Sequence, residues 1–222
     1  ASAPELQFDG KSVIGDDVGY YGISQGGIIG GAYMALSTDI ERGVFGVGGM
    51  PYSLLLDRSQ DFGLFNDLMR SQFPDPREFA LLVAGMQSAW DVGEGAGYAQ
   101  VITANPLPGT PAKRILMQVA IGDVQVSTLA AHISARAYGA PTIAPAVRPI
   151  WGVDEVSGPH EGSALIEWDY GSPEPLENVP PSGPDTHECV RQEPAAQEQA
   201  DIFLRTGRVE QTCDGACEST CL

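Results

Sequence analysis

Lysine is almost missing from this chain. Of its 222 residues only Lys11 and Lys113 are lysines, and lysine plus arginine number 12 against 29 aspartates and glutamates. The formal net charge is −17. A surface of that sign repels phosphate, so nucleic acid is excluded as a partner, and anionic membranes are disfavoured for the same reason. Acidic surfaces poor in lysine occur in salt-adapted proteins, although solubility is the plainer reading. No apolar run reaches the ~18 residues of a membrane-spanning helix. An initiating methionine is also lacking. Ala1-Ser2-Ala3-Pro4 reads as a terminus left by processing or by cutting a longer chain.

Cysteine does not occur before position 189. All four, Cys189, Cys213, Cys217 and Cys221, lie near the C-terminus. An even number in a Gly/Ser/Thr-rich tail points to two disulfides and an oxidising compartment, hence a secreted or periplasmic protein. The preferred pairing joins Cys189 to one tail cysteine and the remaining two to each other. A metal site built from Cys213, Cys217 and Cys221 is the competing reading. Three-residue gaps without a nearby histidine or a Cys-x-x-Cys knuckle speak against zinc.

What is present is a real core. The hydrophobic fraction is 43%, ordinary for a globular domain. Val18-Gly19-Tyr20-Tyr21-Gly22 is short, β-branched and aromatic, and is expected to be a buried strand. Small and apolar residues from Gln25 to Ser37 form a helix able to pack closely on a sheet. Val44 to Gly49, Ile115 to Ile121 and Ser163 to Trp168 read as further strands. Helices are expected over Leu129–Tyr138, closed by Gly139 and Pro141, and over Pro194–Leu204, with Pro in the first turn and Gly207 beyond the end. Residues 52–101 show an interrupted helical pattern. Continuous apolar strands alternating with helices indicate an α/β fold: a mostly parallel sheet with helices on both faces. Residues 1–205 form the main portion, with 52–101 as an insertion, and 206–222 form the Cys-rich tail.

Gly22-Ile23-Ser24-Gln25-Gly26 fits G-x-S-x-G. The pentapeptide alone is common. A strand before it and a Gly-rich helix after it are what the nucleophile elbow demands, because the serine must stand exposed on a strained strand-to-helix turn. Small residues two before and two after relieve backbone crowding. The backbone N–H of Gln25 would then face a substrate oxyanion at the positive end of a helix.

Gly22-Ile23-Ser24-Gln25-Gly26-Gly27 resembles the α/β-hydrolase superfamily, and its Ser-Gln-Gly-Gly form is similar to carboxylesterases, lipases and acyl-protein thioesterases. The resemblance runs from about Val18 to Arg205. It implies the chain order serine, acid, histidine. Asp123 ends the run Ile115-Leu116-Met117-Gln118-Val119-Ala120-Ile121-Gly122, where such an acid belongs; capping the next helix is its alternative role. Of three histidines, His132 falls inside the following helix and His160 precedes a strand, whereas His187 follows the last strand and its Pro-rich loop. His187 is therefore the expected base. The implied function is a secreted serine hydrolase that cleaves small apolar carboxylic esters, needing no cofactor and no metal. A peptidase or amidase, or a non-catalytic subunit, would share the elbow.

The resemblance also implies something missing. Such enzymes usually place several strands, and a loop donating a second oxyanion N–H, before the nucleophile. Here only 23 residues precede Ser24. A cleaved precursor, a fragment and a rearranged minimal sheet each answer this. The expectation carried forward is a processed precursor in which a second polypeptide, its N-terminal part, completes the fold. Residues 52–101 occupy the usual place of a lid and could line an acyl pocket; plain packing on the sheet is the alternative.

Overall fold

A computed structural model describes residues 3–12, 15 and 17–221. Ala1 and Ser2 of the expected processed terminus lie outside it. The elements in chain order are β1 (Gln7–Phe8), β2 (Lys11–Ser12), β3 (Gly19–Ile23), α1 (Gln25–Leu36), β4 (Arg42–Gly46), α2 (Tyr52–Arg58), α3 (Gly63–Gln72), α4 (Pro76–Trp90), α5 (Ala99–Ile102), β5 (Arg114–Ala120), α6 (Thr128–Tyr138), β6 (Thr142–Ala144), β7 (Glu155–Ser157), β8 (His160–Glu161), β9 (Ala164–Trp168), α7 (Pro194–Thr206) and β10 (Arg208–Val209).

The centre is a four-stranded sheet in the order β3-β4-β5-β9, with every neighbouring pair parallel. Its residues sort by the two-residue period of a strand. Ile115, Met117 and Val119 of β5 point to one face, against Met34 and Ala35 of α1 and Ala131 and Ala135 of α6. Leu116 and Ala120 point to the other, against Ala196, Ala200 and Phe203 of α7. Between them Gln118 donates to the Ala196 carbonyl at 2.9 Å and to Gln199 Oε1 at 3.0 Å. Both faces are thus covered by helices, which is why these strands read as continuous apolar runs rather than alternating ones. Each fully buried Leu, Ile or Met contributes about 1.5–3 kcal/mol.

Three local features secure this layer. Lys113, at the entrance to β5, donates to the carbonyls of Ser37 and Ile40, each at 2.6 Å, tying the turn after α1 to the sheet. Helix α4 begins with Pro76 and is capped by Asp75, whose carboxylate accepts from the Arg77 N–H at 2.9 Å. Helices α6 and α7 end in left-handed Gly139 and Gly207, a backbone region in which glycine alone is unstrained.

The strand before Ser24 differs from its expectation. It is not buried but forms the sheet's edge, with Tyr21 45% exposed and Gly19 exposed. Among the described residues no strand pairs with its outer side; β1 and β2 pair only with each other. A run of β-branched and aromatic residues looks the same whether one flank or two is paired. Residues 52–101 form four α-helices, as their interrupted pattern indicates. The tail is closed by disulfides Cys189–Cys221 and Cys213–Cys217, one of the three pairings the sequence left open, and this engages all four thiols. No described helix is long and apolar enough to cross a membrane.

Candidate active site

Ser24 stands between β3 and α1 with φ 56° and ψ −120°. A non-glycine residue at positive φ outside the left-handed helical well is strained, and such strain collects at functional turns. The turn is braced on several sides. The Ser24 N–H donates to the Gly46 carbonyl at 2.8 Å and the Ser24 carbonyl accepts from Ile28 at 3.0 Å. Beneath it the Tyr20 hydroxyl crosses from β3 and donates to the Gly26 carbonyl at 2.7 Å.

The glycines around the turn are not equivalent. A Cβ on Gly22 would lie 2.4 Å from the Tyr20 hydroxyl and 2.5 Å from the Gly26 carbonyl oxygen, so position 22 admits no side chain. A Cβ on Gly26 would meet only the Tyr20 hydroxyl, at 3.6 Å, an ordinary contact. The crowding expected two residues after the serine is instead found three after: a Cβ on Gly27 would sit 2.8 Å from the Gly46 carbonyl oxygen. Helix and sheet meet at that point, so the third glycine, not the second, sets how closely α1 approaches β4.

Asp123 follows β5, one residue past Gly122, which takes φ +80° in close contact with Ser172. Its side chain is 1% exposed. Oδ1 accepts the N–H groups of Gln125 and Val126, both at 2.8 Å. Oδ2 lies 2.7 Å from His187 Nδ1. Asp123 thus does not cap the following helix, whose N-cap is Ser127; one oxygen holds its own loop and the other meets His187. Burial pushes the Asp123 carboxyl above the usual carboxylate range, against the opposing pull of His187 and of the two backbone donors.

His187 lies beyond β9 and its loop, with a side chain 2% exposed. Its N–H donates to Asp185 Oδ1 at 3.0 Å, and Asp185 Oδ2 accepts from Gln125 Nε2 at 2.7 Å, so the loops carrying acid and base are cross-tied. Thr186 donates to the Ile121 carbonyl at 3.1 Å. Two residues further on, Cys189 is bonded to Cys221. With Nδ1 engaged by Asp123, Nε2 is the nitrogen that faces elsewhere.

Ser24, Asp123 and His187 all follow the C-terminal ends of parallel strands, the end of an α/β sheet where sites form. The structure joins Asp123 to His187 directly. Among the described residues no hydrogen bond links Ser24 to His187. Gln25 opens α1, where backbone N–H groups lack partners within the helix. His132 is placed elsewhere, with Nε2 2.6 Å from Glu167 Oε1 on α6's side of the sheet. His160 pairs in β8 with Val209 of β10.

Sequence reading missed three neighbours of the site. Val47, just past β4, takes φ 42°, an outlier for a β-branched residue. Its only advance sign is the Gly-Gly that follows. Glu94, fully buried, accepts from the N–H groups of Tyr52 and Ala96, each at 3.2 Å, and so pins the start of α2. Tyr52 packs against a cluster of Ile28, Leu55, Val126 and Ala130, which joins helix α1 to the loop after β5, and its ring meets Trp90 at 5.8 Å and Phe62 at 6.1 Å. The inserted helices therefore touch both halves of the site. Helix α3 meanwhile turns Leu64, Phe65 and Leu68 outward. No protein-family model, curated protein or solved structure matches this chain.

Proposed function

We propose that this chain is the catalytic portion of a secreted serine hydrolase of the α/β-hydrolase type, acting on carboxylic esters with a small apolar acyl group. The observation that carries the reading is the pairing of two features. A serine holds a strained positive φ at a strand-to-helix turn, and a buried aspartate, at the end of the second strand along, orients a histidine through Nδ1. Neither is required for the packing of a sheet, and acyl transfer needs both. The two disulfides support an oxidising compartment.

The roles follow. His187 Nε2 takes the Ser24 proton as Oγ attacks the ester carbonyl, and the Gln25 N–H meets the developing oxyanion. The imidazolium, stabilised by Asp123, returns its proton to the leaving alkoxide, so an alcohol departs and an acyl-enzyme remains. Water then attacks with His187 again as base, releasing the acid and restoring Ser24. The aromatic group of Tyr52 and Phe62, packed against the cluster of Ile28 and Val126, with Trp90 against Tyr52, is the surface for the acyl group.

Labelling with a fluorophosphonate probe tests the assignment. Wild type and Ser37→Ala take the label and Ser24→Ala does not. Labelling that survives Ser24→Ala overturns it. Hydrolysis of p-nitrophenyl esters beside peptide anilides separates ester from amide chemistry on the labelled protein.

A further inference from the structure

Residues 172–184 lie between β9 and His187 and read Ser-Pro-Glu-Pro-Leu-Glu-Asn-Val-Pro-Pro-Ser-Gly-Pro. Their ends meet, because the Ser172 hydroxyl donates to the Pro184 carbonyl at 3.2 Å. A loop of this length closed at its neck is an Ω-loop. The neck rests on the acid loop, since a Cβ on Gly122 would lie 2.5 Å from that of Ser172. The tip reaches the inserted helices. Asn178 Nδ2 donates to Asp57 Oδ2 at 2.8 Å, and Arg58 Nε donates to Asn178 Oδ1 at 3.0 Å. Gln60 Nε2 adds a bond to the Pro181 carbonyl at 3.4 Å. The loop is therefore a strap between two walls of the site. One wall is the pair of turns carrying Asp123 and His187, and the other is the set of helices carrying the acyl surface.

The strap is stiff within itself and loosely held. Pro173, Pro175, Pro180, Pro181 and Pro184 fix φ along it and favour an extended, semi-rigid chain. Among the described residues, none from 172 to 184 takes part in a backbone-to-backbone hydrogen bond. Apolar packing does not seat the tip either, for Leu176 is 97% and Val179 45% exposed. What holds it is the exposed polar clasp at Asn178, a contact that water can replace at little cost. Nearer the neck, Glu174 is anchored by Arg148 at 2.7 Å. The base does not depend on the tip. Asp185 is tied to Gln125 and Thr186 to Ile121, so the chain is fixed again before it reaches His187. A segment with so few ties between fixed ends belongs to the part of a fold that opens first.

Ser24 is partly exposed, whereas the side chain of His187 is 2% exposed. Acyl transfer needs an ester that meets both, so either the ester is small or a cover moves. We propose that the strap is that cover and sets the size of ester the site accepts. Clasped at Asn178, it admits short acyl groups only. Release of Asn178 from Asp57 and Arg58 opens the wall and lets longer chains in, while Asp123 and His187 stay in place. Asn178 and Arg58 thereby determine specificity without touching the reacting atoms. This role rests on the hydrolase reading, and it supplies the reason that reading lacks for a preference for small acyl groups.

Two fluorophosphonates that differ only in their alkyl chain, ethyl and dodecyl, test this on the intact chain. Wild type should take the ethyl probe about tenfold faster. Asn178→Ala is an exposed change, and Arg58→Ala cuts the same clasp from the helix side. Each should speed the dodecyl probe about fivefold or more and leave the ethyl rate within about twofold. Mere loosening of the fold would slow both probes. The proposal is overturned if wild type takes both probes equally fast, if neither variant speeds the dodecyl probe, or if the variants change both rates alike. The reading beneath it fails by a different sign. Label that persists in Ser24→Ala, or no label in wild type, sinks the hydrolase assignment and the strap's role with it. Label at Ser24 that ignores chain length sinks the strap alone.

Discussion

Asp123 and His187 are 64 positions apart in the chain, and a single hydrogen bond of 2.7 Å joins them. Both side chains are buried. A carboxylate at Nδ1 fixes the imidazole tautomer and leaves Nε2 as the other ring nitrogen.

Asp123→Asn preserves shape but offers an amide where the imidazole N–H needs an acceptor. Ester turnover is expected to fall by ~10³–10⁴ with the fold intact, measured by initial rates beside circular dichroism. A loss under tenfold would remove Asp123 from the mechanism.

Gly22→Ala and Gly26→Ala are expected to part company, although both alter the same motif. The first places a methyl against the Tyr20 hydroxyl and the Gly26 carbonyl and costs roughly 1–3 kcal/mol by overpacking. The second puts alanine at a helical position with room for it, and is neutral or stabilises by up to ~1 kcal/mol. Urea midpoints of the two variants decide the matter.

Tyr20→Phe removes the strut under the elbow. The stability loss is about 1 kcal/mol. Because Tyr20 positions the turn and does not meet substrate, kcat should fall several-fold while KM changes little. An effect on KM alone would contradict this role.

Glu167 is a buried carboxylate whose contribution to stability depends on pH. Burial opposes its charge, but Arg148 and His132 outweigh burial and hold the carboxyl below its ordinary value. A depressed carboxyl contributes stability above the unfolded value, ~4.3, and loses it as pH falls through the folded value. Asp123 is shifted the other way, so its contribution is lost as pH rises instead. Glu167→Gln should therefore flatten the acid limb of the stability curve and cost about 3 kcal/mol at pH 7, the low end for a broken buried pair because Arg148 is one-third exposed. Urea unfolding from pH 7 down to 3 checks both the slope and its sign.

The disulfides should rank by loop length. Cys189–Cys221 spans 32 positions and Cys213–Cys217 spans 4. On chain entropy these correspond to about 3–4 and about 2 kcal/mol. Replacing Cys189 and Cys221 together with serine should also lower turnover, since Cys189 follows His187 by two residues. Replacing the short pair should leave turnover unchanged.

The sequence by itself determined the parallel α/β layer, the strand-to-helix turn at Ser24, the placement of Asp123 after its strand and an even set of cysteines fit for two disulfides. Each of those signals is local: a run of apolar residues, a glycine spacing, or a count. Only the tertiary structure decided that the Ser24 strand is an edge, that Gly27 rather than Gly26 sets the helix approach, and that Asp123 holds its own loop and His187 at once. The same holds for Glu94, which looks like any surface glutamate until Tyr52 and Ala96 turn their N–H groups on it. These facts depend on which segments become neighbours. Backbone hydrogen bonding and close packing settle that question between residues far apart in the chain, and no window along a sequence contains both partners.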